Sequence, residues 1–271
     1  MKFSQYPQIT KVVIPDGVKL QNGVAGLFCD MRNLKNVNIH ENLFSNVTNM
    51  SLTYYRCYNL TGSPVCGEKV VDMSETYRQC YNLAGSPVCG NNVTNMYFTY
   101  DECYNLTGSP VCGEKVVDMV GAYHQCYNLT GSPVCGNNVT KMGDTTFSYG
   151  AYYHCYNLTG SPVCGEKVEK MPYTYYECPN LYGNMYMYSP NVSNVQSCFY
   201  GRNTSNMLNI YVTANSTSQT TLMNYTNTYS IIGKNCTWTN DTTNNRYYNT
   251  AANIYIYPVE NVAAAREANG D

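Results

Sequence analysis

The 271 residues include 16 Lys and Arg against 18 Asp and Glu, a formal net charge of −2, and only 13% of them are charged. That balance leaves no basic footprint for nucleic acid or for an anionic membrane. Apolar runs such as "KVVIP" and "VAGLF" are far too short to cross a bilayer, so no membrane insertion is expected.

The chain opens on "MKFSQYPQITKVVIPDGV", which has no apolar core of signal-peptide length, so ordinary secretion is not expected. "ITKVVIPDGVKL" reads as a divergent first rung. Further on, "NVTNMSLTYYRC" has the Val, Met, Tyr and Cys order of the later repeats, and residues 1–56 are taken as divergent N-terminal rungs or a cap. From Cys57 the stretch "CYNLTGSPVCG" returns at Cys80 with one change, then at Cys103, Cys126 and Cys155. A 23-residue period predicts a repeat solenoid over residues 57–200, in which each coil is too small to bury its own apolar face. The repeated positions give a structural ladder of Leu60, Val65, Val70, Met73 and Cys80, then Leu83, Val88, Met96 and Cys103, then Leu106, Val111, Met119 and Cys126.

Within a repeat, "PVC" is expected to be a short parallel strand opened by Pro64, since a proline costs least at a strand's first residue. "MSETYRQC" is expected to be a short helix or an irregular turn. Six residues are inserted around "GDTTFSYGAYYH", between Cys126 and Cys155, and should leave the stack as a loop on one face. Residues 201–258 change character, being rich in Asn, Thr and Tyr. Alternating runs at "LNIYV" and "NIYIYP" predict a β-type cap there. Residues 259–271, "VENVAAAREANGD", read as a short helix and tail. The fold class expected is a β-rich, leucine-rich-repeat-like solenoid with short parallel strands stacked along one face, helical or irregular turns, and a C-terminal β cap.

The order C-x-x-L, then V-C, then V-x-x-M and an aromatic three residues before the next Cys resembles the BspA-like leucine-rich repeats, in the short variety whose rungs read "NVTNM…C…L". The resemblance covers roughly residues 9 to 200, with Tyr where Phe is usual and Gly-Ser-Pro opening the strand. It implies a non-catalytic surface-binding or adhesion protein of bacteria, protists or phages. With no signal peptide recognised, it points to a phage virion component, tail- or capsid-associated, that recognises a host or mucosal surface. The alternatives are a bacterial cell-surface adhesin and a purely structural spacer. The implied partners are a surface glycan or protein and other virion proteins, at a virion or cell surface.

The 14 cysteines recur at fixed places in the repeat, which favours a column of buried thiols over disulfides or metal. There is no C-x-x-C, and His40, His124 and His154 show no ligand spacing. No metal, cofactor or catalytic motif is expected. Between Met and the next Cys the repeats vary: "SETYRQ", "YFTYDE", "VGAYHQ", "PYTYYE". That variability marks a Tyr-rich recognition face built from Tyr77, Arg78, Tyr97, Tyr100, Asp101, His124, Tyr149, Tyr152, Tyr153, Tyr173 and Tyr176. Tyr makes low-entropy contacts to sugars and proteins. Against this stands the reading that one Tyr per repeat fills the core.

Overall fold

The computed structural model describes residues 5–6, 8–21, 24–38, 42–224, 230–234 and 236–271, and strand, turn and coil dominate it. Among these residues there are two short helices and three small sheets, none of which closes into a barrel. His40 lies outside the described residues. Near the start, β1 (Lys11–Val12) pairs in parallel with β2 (Asn36–Val37), so "ITKVVIP" joins the stacking direction as expected.

The sequence period is also a hydrogen-bond period. Single parallel bridges join Asn49 to Asp72, Asp72 to Asn95, Asn95 to Asp118 and Asp118 to Lys141, and continue through Lys170 to Asn194. After each bridge the backbone N–H groups alternate between two destinations. Those of Met50, Leu52, Tyr54 and Arg56 donate to the carbonyls of Asp72, Ser74, Thr76 and Arg78 in the next repeat. Those of Thr53, Tyr55 and Cys57 donate three residues back, and that of Ser51 donates to the Asn49 side chain at 2.7 Å. Every N–H from Met50 to Cys57 is thereby satisfied without a helix or a strand.

This alternation needs two left-handed residues per repeat: Leu52 and Arg56, Glu75 and Gln79, Phe98 and Glu102, at φ between 51° and 61°. Such residues cannot continue a right-handed helix. Of the two forms expected for the Met-to-Cys segment, the irregular turn is the one formed.

The same alternation explains the residue before each Met. Asn49, Asp72, Asn95 and Asp118 accept the N–H two residues on, at 2.7–3.0 Å. Lys170 departs from the pattern where Pro172, two residues on, has no N–H to satisfy. Lys141 departs where the inserted residues begin. There β3 (Gly143–Asp144) and β4 (Tyr149–Gly150) pair antiparallel as a hairpin, the predicted loop.

"PVC" is not a strand in the repeats that begin at Cys57, Cys80 and Cys103. Pro64, Pro87 and Pro110 point inward and are buried, while Val65, Val88 and Val111 are only half-buried, a correction to the expected ladder. A proline stacked on a proline in every repeat removes the same donor each time, so no ladder can propagate. The tyrosine twelve residues on replaces it. The Tyr77 hydroxyl accepts the Val65 N–H at 2.9 Å and donates to the Val65 carbonyl at 2.8 Å. Tyr100 does the same for Val88, Tyr123 for Val111 and Tyr175 for Val163, and Tyr152 does so for Val134 across the inserted hairpin. This is the physical reason for Tyr in place of Phe: the hydroxyl stands in for a neighbouring strand.

The other predicted ladder positions, Leu60, Val70, Met73, Cys80, Leu83, Met96, Cys103, Leu106, Met119 and Cys126, are buried to 5% exposure or less. Beside them Phe28, Tyr54, Tyr77, Tyr100, Tyr123, Tyr152, Tyr175 and Phe199 form one buried column with centroids 5.2–5.6 Å apart. The cysteines are free thiols. In Cys80, Cys103, Cys126 and Cys155 the Sγ–H donates at 3.1 Å to the carbonyl of the preceding repeat's tyrosine.

In the last repeat, "GNMYM" replaces "GSPVC". Without the proline a true strand forms, β5 (Gly183–Met187), continuing from bridges at Gly160 and Cys164. It pairs in parallel with β6 (Leu208–Thr213). The short helix α1 (Thr217–Leu222) follows, then β7 (Thr239–Asp241), β8 (Arg246–Asn249) and β9 (Ile254–Val259). The sheet order is β5-β6-β9-β8-β7, so the expected strands at "LNIYV" and "NIYIYP" lie side by side. Helix α2 (Val262–Asn269), capped by Asn261 and Gly270, follows β9. The tail docks on this sheet: the Asp271 carboxylate accepts from Asn184 at 2.7 Å and from the Tyr186 hydroxyl at 2.6 Å. No helix among the described residues is long and apolar enough to cross a membrane.

Candidate functional site

The residues selected for a recognition face divide into two groups. Tyr77, Tyr100 and Tyr152 are at most 1% exposed and belong to the buried column, so they present nothing to a ligand. The reading in which one Tyr per repeat fills the core holds for these three. Arg78, Tyr149, Tyr153, Tyr173 and Tyr176 are half-buried and Tyr97 is exposed. Asp101 and His124 are buried but sit directly behind this edge.

Equivalent positions in successive repeats form a line along the edge. Arg78 Nε lies 2.8 Å from Asp101 Oδ2, and His124 Nδ1 lies 2.6 Å from Asp101 Oδ1. Arg78 also pairs with Glu75 at 2.8 Å. Its guanidinium lies over the Phe98 ring, 4.6 Å from the centroid. Burial raises the Asp101 carboxyl above its usual range, and the bond from His124 and the charge of Arg78 pull against that rise. Beyond His124 the line becomes aromatic: His124, Tyr153, Tyr176 and Tyr200 stack at 4.6–4.8 Å.

The inserted hairpin folds back over this line. Tyr149 meets Phe98 edge-on at 4.7 Å and His124 edge-on at 5.0 Å, leaving Phe147 70% exposed at the tip. Gly121 makes room beneath, since a Cβ there would lie 2.5 Å from the Phe98 ring. Phe147 and Phe98 lie outside the tyrosine pattern that marks the expected face. The signal available was the insertion itself, because residues added to a regular stack must project from it.

A second set of rings was missed for the opposite reason. The Tyr of each "CYNL" hardly varies, so it carries none of the variability that marks the recognition face. Yet Tyr58, Tyr81, Tyr104, Tyr127 and Tyr156 form a surface column with centroids 4.8–5.3 Å apart. The adjacent asparagines brace it: Asn82 donates to the Tyr58 carbonyl and Asn128 to that of Tyr104, at 3.1 and 2.9 Å. The column ends at Tyr156, where Pro179 takes the next place.

Tyr156 and Pro179 line a cavity of about 450 Å³ with Glu177, Tyr200, Arg202 and Lys234. Arg202 is 7% exposed, and its Nη atoms donate to the backbone carbonyls of Ala252, Asn253 and Asn206. Its Nε has no partner among the described residues. Burial pulls its pKa down to about 10. Glu177 lies 3.3 Å from His154, whose pKa is lowered by burial against the opposing charge of Glu177.

Among the described residues no cluster of three or more His, Cys, Asp or Glu is placed to hold a metal. No family model, curated protein or solved structure matches the chain.

Proposed function

We propose that the chain is a leucine-rich-repeat-like solenoid that binds non-catalytically through the edge carrying Arg78, Tyr97, Phe147, Tyr153 and Tyr176. The observation that carries this reading is the division within each repeat. Side chains that recur unchanged are buried or brace the stack, while those that change from repeat to repeat lie along one edge with aromatic rings half-buried or exposed. Packing explains the first group, and contact with another molecule gives the second a use. The ionic line behind the edge holds these rings in place. Asp101, with Arg78 and His124 on its two oxygens, is a rigid support for them. The partner is a surface glycan or protein, and the setting, a phage particle or a bacterial cell surface, rests on the family resemblance alone.

The test is binding of the labelled protein to a panel of bacterial cells and to mucin, beside a variant with Tyr97, Phe147, Tyr153 and Tyr176 all changed to Ala. Selective binding that the variant loses while keeping its circular dichroism supports the reading. Binding by neither protein, both folded, sinks it and leaves a structural spacer.

A further inference from the structure

A ring stacked on both sides has no face left to offer. Along the surface column and the edge line, the inner tyrosines present only their edges and hydroxyls. Faces become available where a column stops. Tyr156 ends one column, with the His154 ring also stacked against it at 5.4 Å, and Tyr200 ends the other, with no ring beyond Tyr176 stacked on it among the described residues; both line the same cavity. Gly233 sits beside the Tyr200 ring, where a Cβ would approach its Cδ2 to 3.0 Å. A residue with no side chain leaves that ring uncovered.

The charges around this cavity do not cancel. Arg202 and Lys234 face Glu177, one net positive charge. The Arg202 guanidinium is bonded to backbone carbonyls and, among the described residues, is paired with no carboxylate. A buried guanidinium with no counter-ion is costly to hold, and an anion beside it removes that cost. Lys234, exposed on the rim, is free to close on the same anion.

We propose that this cavity binds the acidic sugar of a surface glycan, a monosaccharide carrying one carboxylate or one sulfate. The sugar's C–H face would lie on Tyr156 or Tyr200, and its anion between Lys234 and Arg202. The volume falls within the range that holds small ligands. One net positive charge matches a monoanion, whereas a nucleotide would bring two or more negative charges against Glu177. The inference rests on the reading of the chain as a binding protein and names the ligand class and its seat.

The experiment is saturation-transfer NMR with calorimetry on the full chain. The probes are methyl β-glucuronide, the methyl glycoside of N-acetylneuraminic acid, galactose 6-sulfate, and methyl β-glucoside as the neutral control. The expected result is saturable binding of a carboxylated or a sulfated sugar, about tenfold weaker in Lys234→Gln, with transfer to the sugar C–H protons lost in Tyr200→Ala or in Tyr156→Ala. All three positions are exposed, so the variants should fold. Equal binding of the neutral glucoside, binding of none of the sugars, or acidic-sugar binding that none of the substitutions changes would overturn the proposal. The broader reading fails separately: edge-dependent binding to cells without any acidic-sugar binding sinks this inference alone. Acidic-sugar binding without edge-dependent cell binding sinks the edge reading and leaves the cavity standing.

Discussion

Tyr100→Phe removes one oxygen and leaves the ring in its column, 5.5 Å from the ring on either side. The lost hydroxyl accepts the Val88 N–H at 3.0 Å and donates to the Val88 carbonyl at 2.8 Å. A buried polar group left without a partner costs about 1–3 kcal/mol. Val88 is half-buried, so water can replace part of what is lost, and the low end applies to each group. The expected destabilisation is about 2 kcal/mol for the two groups together. Tyr54→Phe is the internal control: its hydroxyl is buried in the same column with no partner among the described residues, so removing it should be neutral or stabilising by about 1 kcal/mol. Urea unfolding followed by circular dichroism near pH 7.5 reads both, with the slope m compared first because repeat arrays can lose cooperativity. Hydrogen exchange at the Val88 amide should rise in the Tyr100 variant. Equal midpoint shifts for the two variants, or an unchanged Tyr100→Phe, would refute the claim that the hydroxyl substitutes for a strand.

The cysteine column makes the fold alkali-sensitive. Burial raises the thiols of Cys80, Cys103, Cys126, Cys155 and Cys164 well above 9.0. A folded pKa above the unfolded one means a contribution present below pH 9 and lost as pH rises towards the folded value. Stability in the urea assay should therefore fall steadily above pH 9, and a midpoint unchanged between pH 8 and pH 11, with the thiols unreactive throughout, would contradict it. Arg78→Met leaves Asp101 with His124 alone and removes the cation over Phe98, for an expected loss of about 2–3 kcal/mol in the same urea assay; a loss below 0.5 kcal/mol would mean that the ionic line does not support the edge. Gly121→Ala puts a Cβ against the Phe98 ring at a residue with φ of 65°, so a Tm drop and greater mobility of Phe147 are expected, the latter read from NMR relaxation.

Period and residue type made most of the core legible in the sequence. The repeated Met and the Cys that opens each repeat go to the interior, and Met73, Met96, Met119, Cys80, Cys103 and Cys126 are all fully buried. The second Cys of the repeat, at Cys66, Cys89, Cys112 and Cys135, recurs just as regularly and is only half-buried, a correction to the expected column of buried thiols. The strand assignment was misplaced because "PVC" satisfies β propensity at Val, while the proline before it denies the ladder its donor only when repeats stack in register. That is a property of two neighbouring copies and cannot be seen in one. The hydroxyl that satisfies Val88 comes from Tyr100, twelve residues on, across the width of the repeat. Local pattern carries no record of that distance. Equally hidden was the split among tyrosines, since Tyr152 and Tyr153 are neighbours in sequence, yet one is buried and the other is on the edge. Successive repeats alternate Glu-Lys with Asn-Asn, and in space the alternation is a clasp: Lys115 donates to Asn92 at 2.7 Å and Asn92 to the Glu68 carbonyl at 3.0 Å, so each pair needs the other kind next to it.

Stacking also decides what kind of recognition each part of the surface supports. A tyrosine inside a column spends both faces on its neighbours and keeps a hydroxyl, so the long edge recognises by hydrogen bonds and by the charges that interrupt the rings. That suits an extended partner read repeat by repeat, with Tyr97 and the Phe147 hairpin as its apolar points. Face-on contact with a sugar ring needs an uncovered face, which a regular array supplies at its ends. The last repeat supplies it by breaking two rules at once: Pro179 stands where the "CYNL" tyrosine would, and "GNMYM" stands where the proline-led coil would, starting the sheet that holds Arg202 between Ala252 and Asn206. The departures that end the stack are therefore the same ones that open a cavity at its end.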